Sequence, residues 1–365
     1  MSAATRPLVV VFLRGGTDGL SLLRPLQDSV VDQLRPDLVV PPASTVPAGE
    51  GFGLHPALAT TGARLAAGTV ALVPACGSPT ASRSHFSAQF SVERSDGGQA
   101  ALTGGWLGRH LDATAGREIR PFRAVSLGQT QVPTLLAGST DVLAATTLAD
   151  LTLDGRTRDA TPTPDLLASL WQDDDGPLGP SAAAALEVLR RSGSLRPTTG
   201  LPTTGGDGRV PTVASSAAEL VTVFGSSLGT RVGMLNMSGW DHHSDLGVTD
   251  GAFARLATEL DGALDTLLRG IPGVVVLVVS EFGRRAAANA SGGSDHGRGG
   301  VAIVLGDGVR GGVHGDWPGL GDLDEGDVPV ANDVRSVFAE VVGKVLDADV
   351  ERILPGAPPP LGLLG

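Results

Sequence analysis

A few short stretches hold most of the side chains that could do chemistry. In Ser238-Gly239-Trp240-Asp241-His242-His243-Ser244-Asp245, two His and two Asp fall within five residues, in a chain with seven His. That concentration suits a metal or catalytic site better than a solvated loop. Asp241 and His243 are alternate residues, so an extended backbone points both to one side. A second stretch, Ser280-Glu281-Phe282-Gly283-Arg284-Arg285, turns polar directly after an apolar run, and its Gly/Ser/Asn-rich loop delivers Asp295-His296-Gly297. A third, Arg14-Gly15-Gly16-Thr17-Asp18-Gly19, offers Asp18, either as a further carboxylate for the site or as an Asx-turn or helix N-cap. The fourth runs from Cys76 to Phe86 and is crowded with hydroxyls. Ser82 or Ser84 there is a helix cap or a nucleophile, because helix amides and dipole favour a developing negative charge. Arg83 and His85 beside them suit an anion site.

Each stretch follows a run that reads as a buried strand. Leu8–Leu13, Val70–Ala75, Ala124–Leu127, Arg231–Met237, Val274–Val279 and Val301–Leu305 are short, apolar and β-branched, without helical spacing. Helices are expected from Pro56 to Gly68, over 84–95, from Trp106 to Asp112, Ser181 to Arg191, Val213 to Leu228, Phe253 to Leu268, and Asp333 to Leu346. Alternating elements of this kind give an α/β fold with a mostly parallel sheet and helices on both faces. In such sheets chemistry collects beyond the carboxyl ends of the strands. The chain reads as a single domain over 1–365. A Thr/Asp/Pro/Gly-rich insertion or cap spans 138–212, including Asp173-Asp174-Asp175 and a loop over 197–211.

Composition narrows the function classes. A hydrophobic fraction of 41% can bury a core. Net charge is −12 with no basic block, and Lys344 is the single lysine, so nucleic acid is a poor partner. One cysteine, Cys76, excludes an intrachain disulfide and a Cys-based zinc knuckle, and its apolar setting makes it an inert buried thiol. No apolar run is long enough for a membrane span. The N-terminus shows no leader pattern, so the expectation is cytoplasmic, or periplasmic or extracellular if a leader is removed. The oligomeric state is left open.

Taken in order, FLRGGTDGL, GFGLHPAL, GSPTASRSHF, the GWDHH loop, SEFGRR, SDHGRGG, VHGDWPGL and DVRSVFAE resemble the domain-of-unknown-function 1501 (DUF1501) family, placed among the alkaline phosphatase-like (sulfatase-like) α/β folds. The resemblance runs from about Leu8 to Pro355, without the insertion. It implies a three-layer sandwich and metal-assisted hydrolysis of phosphate or sulfate esters by one or two divalent ions (Zn, Mn, Mg or Ca). By that resemblance Ser82, then Ser84, is the nucleophile; Asp18, Asp241, His243, Glu281 and His296 hold metal, with Asp295 and His242 completing any second site. Phe282 stands where the phosphatases have a His, which argues against a full two-zinc site. Cys76 is not in the sulfatase Cys-x-Pro-x-Arg arrangement, which argues against a formylglycine sulfatase.

The leading expectation is a hydrolase acting on a small anionic ester, with Arg83 and Arg284 gripping its nonbridging oxygens. The alternatives are a degenerate site used for binding or assembly, and a metal-dependent phosphosugar isomerase or transferase.

Overall fold

The computed structural model describes residues 6–80, 82–99, 102–116, 120, 122–151, 163–171, 178–192, 195 and 211–365. Asp173-Asp174-Asp175 and nearly all of the 197–211 loop lie outside them. A nine-stranded sheet crosses the chain. Five of its strands run parallel and side by side, in the order Val275–Ser280, Leu8–Leu13, Val232–Met237, Ala124–Leu127 and Val142–Ala145. Beyond Val275–Ser280 lie Gly300–Gly306, Val70–Gly77 and the short Gly312–Val313, while Asn332–Asp333 also pairs with Val70–Gly77.

Strand periodicity explains the layers. In Leu8–Leu13 every residue is buried. Val9, Val11 and Leu13 join one apolar cluster with helices Val213–Phe224 and Ala252–Gly270. Leu8, Val10 and Phe12 join the other, with helices Trp106–Ala113 and Val334–Lys344. Alternate side chains thus feed opposite faces, which is why the run is apolar throughout and not alternating. Burying each such Val or Leu contributes about 1.5–3 kcal/mol. Trp106 stacks on Phe338 at 4.9 Å on the second face.

Three features go beyond the sequence reading. Gly300–Gly306 is antiparallel to both neighbours. An apolar run has no direction written in it, so its register came only with the structure. Val142–Ala145, inside the stretch read as insertion, is the edge strand of the central sheet. A separate three-stranded sheet, Leu23–Pro25, Phe52–Leu54 and Val46–Gly49, has no counterpart among the expected strands.

The register gathers the polar loops at one edge. Leu13 is level with both Met237 and Ser280, so the loops after all three strands open together. Because Gly300–Gly306 runs the other way, its beginning lies there too, level with Cys76 near the end of Val70–Gly77. The antiparallel strand therefore returns Asp295 and His296 to the rim that its predecessor left at Glu281. Cys76 is buried, and burial, with Asp333 nearby, raises its thiol pKa.

Candidate metal centre

Four segments of the chain meet at Asp241. Gly15, in the turn after Leu8–Leu13, has φ +124°, and a Cβ there would lie 2.4 Å from the Asp241 backbone nitrogen. Only glycine lets this turn pass so close to the Trp240–Asp241 backbone. Arg284, 2% exposed, fastens the loops to one another. It donates to the Gly16 carbonyl at 2.6 Å, the Ser294 carbonyl at 2.8 Å, the Trp240 carbonyl at 3.2 Å, the Gly15 carbonyl, and Asp241 Oδ1 at 2.5 Å. Desolvation pushes the Asp241 pKa up, but the Arg284 hydrogen bond and charge, with His296 and His243, hold it at about 2. Asp241 is therefore a carboxylate at any working pH.

Three imidazoles face that carboxylate. His243 Nε2 and His296 Nε2 each lie 3.1 Å from Asp241 Oδ1, and His85 Nε2 lies 3.3 Å from Oδ2. Among the described residues, His85, Asp241 and His296 offer donor atoms all within 4.8 Å of one another. His243 joins through its Nε2, 2.9 Å from His296 Nε2. His243 and Asp241 lie on the same side of their loop, whereas His242 turns inward, buried, its ring 6.1 Å from that of Phe253.

The opposite ring nitrogens decide the tautomers. His85 Nδ1 meets Glu281 Oε1 at 2.9 Å, His243 Nδ1 meets Asp295 Oδ1 at 3.0 Å, and His296 Nδ1 meets the Arg83 carbonyl at 2.7 Å. A carboxylate or a carbonyl only accepts, so each Nδ1 carries the proton and donates it. With Nδ1 so engaged, Nε2 is the nitrogen each ring turns inward toward Asp241. His85 Nε2 is buried without a hydrogen-bond partner. Imidazoles with one nitrogen tied to oxygen and the other converging beside a carboxylate fit a divalent ion.

Glu281 and Asp295, expected as ligands, thus hold the rings. Glu281 is buried and accepts from His85, from the Gly15 amide at 2.9 Å and from Gln89 at 2.9 Å. Desolvation raises its pKa, but the bonds from Gln89, its own amide, His85 and Gly15 bring it below the ordinary value. The His243 bond, followed by that of Asn289, lowers Asp295.

Other sequence candidates stand apart. Asp18 is 2% exposed, with its oxygens 2.7 and 2.8 Å from the Arg35 guanidinium, and further bonds from Ser294 Oγ and the Ser21 amide. It is the N-cap of Gly19–Leu22 and is occupied by a cation already. Arg284 is buried among carbonyls, and Arg83 is paired with Asp327 at 2.7 Å, so neither guanidinium expected to grip an ester is unengaged. Ser82 Oγ accepts from the Ser84 amide at 3.2 Å, and Ser84, exposed, precedes His85 as N-cap without a side-chain cap bond. His314 bonds the Arg310 carbonyl at 2.7 Å, a local structural contact.

The sequence reading overlooked Gln89 and Glu93, and counted His85 as a catalytic residue at an anion site and not as a metal ligand. His85, Gln89 and Glu93 follow one another four residues apart in helix His85–Arg94 and so share a face. That face docks on the sheet edge, with Gln89 on Glu281 and Glu93 on Arg14 at 2.6 Å. The polar spacing in HFSAQFSVE was the available signal.

No curated protein matches the sequence. Solved structures that resemble it include the soluble domain of lipooligosaccharide phosphoethanolamine transferase A from Neisseria meningitidis, 12% identical over 98% of this chain and 95% of that one, TM-score 0.38. Another is alkaline phosphatase from the Antarctic bacterium TAB5, 14% identical over 84% of this chain and 94% of that one, TM-score 0.32. A 2-O GAG sulfatase is 10% identical over 84% of this chain and 65% of that one, TM-score 0.29. These likenesses are too distant to bear on the chemistry. The model of the family described as "Protein of unknown function (DUF1501)" matches residues 59–343, more than three quarters of the sequence, and the chain belongs to the DUF1501 family.

Proposed function

We propose that this chain is a metal-dependent hydrolase of phosphate or sulfate esters, with its ion held by His85, His243, His296 and Asp241. One observation carries the reading: three rings, each with its Nδ1 proton given to oxygen, turn their Nε2 atoms toward one carboxylate. Three nitrogens and one carboxylate suit zinc or another nitrogen-preferring transition ion, and disfavour magnesium and calcium, which take oxygen ligands. The reaction class rests on the motif order, which resembles the alkaline phosphatase-like superfamily. When bound, such an ion polarises an ester oxygen and lowers the pKa of an attached hydroxyl or water.

The protein's own groups prepare that event. Arg284 keeps Asp241 ionised and in place. Glu281 and Asp295 fix the orientation and tautomer of His85 and His243. Ser82 is our first choice of nucleophile and Ser84 the second, since both sit at the start of the helix that opens with His85, where amide dipoles favour an oxyanion. The test is hydrolysis of aryl phosphate and sulfate by protein stripped with a chelator and reloaded with zinc or manganese, beside Asp241→Ala and His296→Ala. Full activity in the stripped protein would overturn the reading.

One observation favours a second reading, a metal-loaded binding protein without turnover. Arg83 and Arg284 are already paired, which leaves the oxygens of an ester without the guanidinium grip expected for them. Stoichiometric metal uptake with no cleavage of any ester in a broad panel would select it.

A further inference from the structure

A cavity of about 670 Å³ opens beside the candidate metal centre, lined in part by Arg14, Gln89, Gln129, Thr130, Gln131 and Asn236. Its size is that of a small-molecule site. It begins one helical turn from His85, because Gln89 follows His85 by four residues on the same face. It also shares a wall with the centre. Gln89 lines the cavity while donating to Glu281, the carboxylate that holds His85. Asn236 and Ser238 bring the end of Val232–Met237 and the approach to Asp241 into the lining.

The lining has a definite chemistry. Its charges cancel, since Arg14 is paired with Glu93 at 2.6 Å and also holds Asn236 Oδ1 at 2.7 Å. What remains is mostly amides and hydroxyls, groups that both donate and accept. Among the described residues no aromatic ring lines it, so a flat apolar group has nothing to stack on. A charged ligand would lose its hydration without a counter-charge, and an apolar one would leave the amides unpaired. Neighbouring hydroxyls on a saturated ring, each a donor and an acceptor, match the lining.

We propose that this cavity binds an uncharged polyhydroxylated group, a sugar or cyclitol, as the alcohol part of the ester cleaved at the metal centre. The proposal rests on the hydrolase reading for its role but not for its binding. The test is calorimetric titration of the full chain, with and without zinc, with methyl glucoside, myo-inositol and cyclohexanol. Saturable binding of at least one polyol, with no heat from cyclohexanol, is expected in both forms. The Gln129→Leu/Gln131→Leu variant, altered on half-buried and exposed loop positions, should bind at least tenfold more weakly. Absence of polyol binding up to roughly 100 mM, equal binding of cyclohexanol, or an unchanged affinity in the variant would each overturn it. Failure of the hydrolase reading would look different: no zinc uptake or no ester cleavage, with polyol binding intact.

Discussion

His243 and His296 meet nitrogen to nitrogen, 2.9 Å between their Nε2 atoms, while each ring gives its other nitrogen's proton to an oxygen. Two ring nitrogens that close must share either a proton or a metal ion. The Asp241 carboxylate beside both supplies the negative charge that draws one in.

Metal uptake is therefore expected at one equivalent per chain, measured by equilibrium dialysis with zinc. At a hundredfold excess over Kd the ion adds about 2.7 kcal/mol of stability, an increase of about 3 °C in Tm for a chain of this length. His296→Ala should abolish the increase. A Tm that is the same in zinc and in chelator for the unaltered protein would remove the centre altogether.

In the proposed centre Glu281 acts on the ion only through His85, and Glu281→Gln tests that role. The amide keeps the shape, and its oxygen can still take the three bonds that fall on Oε1, from His85, Gln89 and Gly15, but without the charge that makes the carboxylate the stronger acceptor. Zinc affinity should fall 10- to 100-fold, as for other groups that orient a metal-binding imidazole. Asp241→Asn, at a ligand, should cost more. Equal losses in the two variants would mean that Glu281 itself binds the ion.

The strands that carry these loops were legible because burial on both faces demands continuous apolar runs, and Leu8–Leu13 and Ala124–Leu127 begin and end where the sequence places them. The two-residue period of a strand likewise separates Asp241 and His243 from His242. Pairing across the fold was not legible. Arg35 lies 17 residues beyond Asp18, at the edge of a Pro-rich stretch, and nothing local marks it as that carboxylate's partner. His85 appeared to serve the serines beside it, because only the folded sheet edge shows which groups its helix face meets.

The Asp18–Arg35 pair tests whether Asp18 serves structure or metal. Both side chains are essentially inaccessible, at 2% and 1% exposure. Arg35→Met would strand a buried carboxylate and should cost about 3–5 kcal/mol. Adding Asp18→Asn should recover part of that loss, because the uncompensated charge is gone. Zinc uptake should be unchanged in the double variant. If uptake fails in a folded double variant, Asp18 belongs to the centre after all.

Acid sensitivity should trace in part to His110, outside the proposed metal centre and buried in helix Trp106–Ala113. Burial, followed by the Arg123 charge, lowers its pKa from 6.5 to about 4. The unfolded chain takes up a proton near pH 6.5 that the native protein refuses until about pH 4. The neutral ring's contribution to stability is thus present above pH 6.5 and is lost as pH falls through that window. Between pH 7 and pH 5 the loss is about 2 kcal/mol. Urea unfolding of the unaltered protein and of His110→Leu at both pH values isolates it, because the other titrating groups are common to both. The variant should lose about 2 kcal/mol less on acidification. Parallel losses in the two proteins would show that His110 is protonated in the native state, and that its burial does not govern the acid limb.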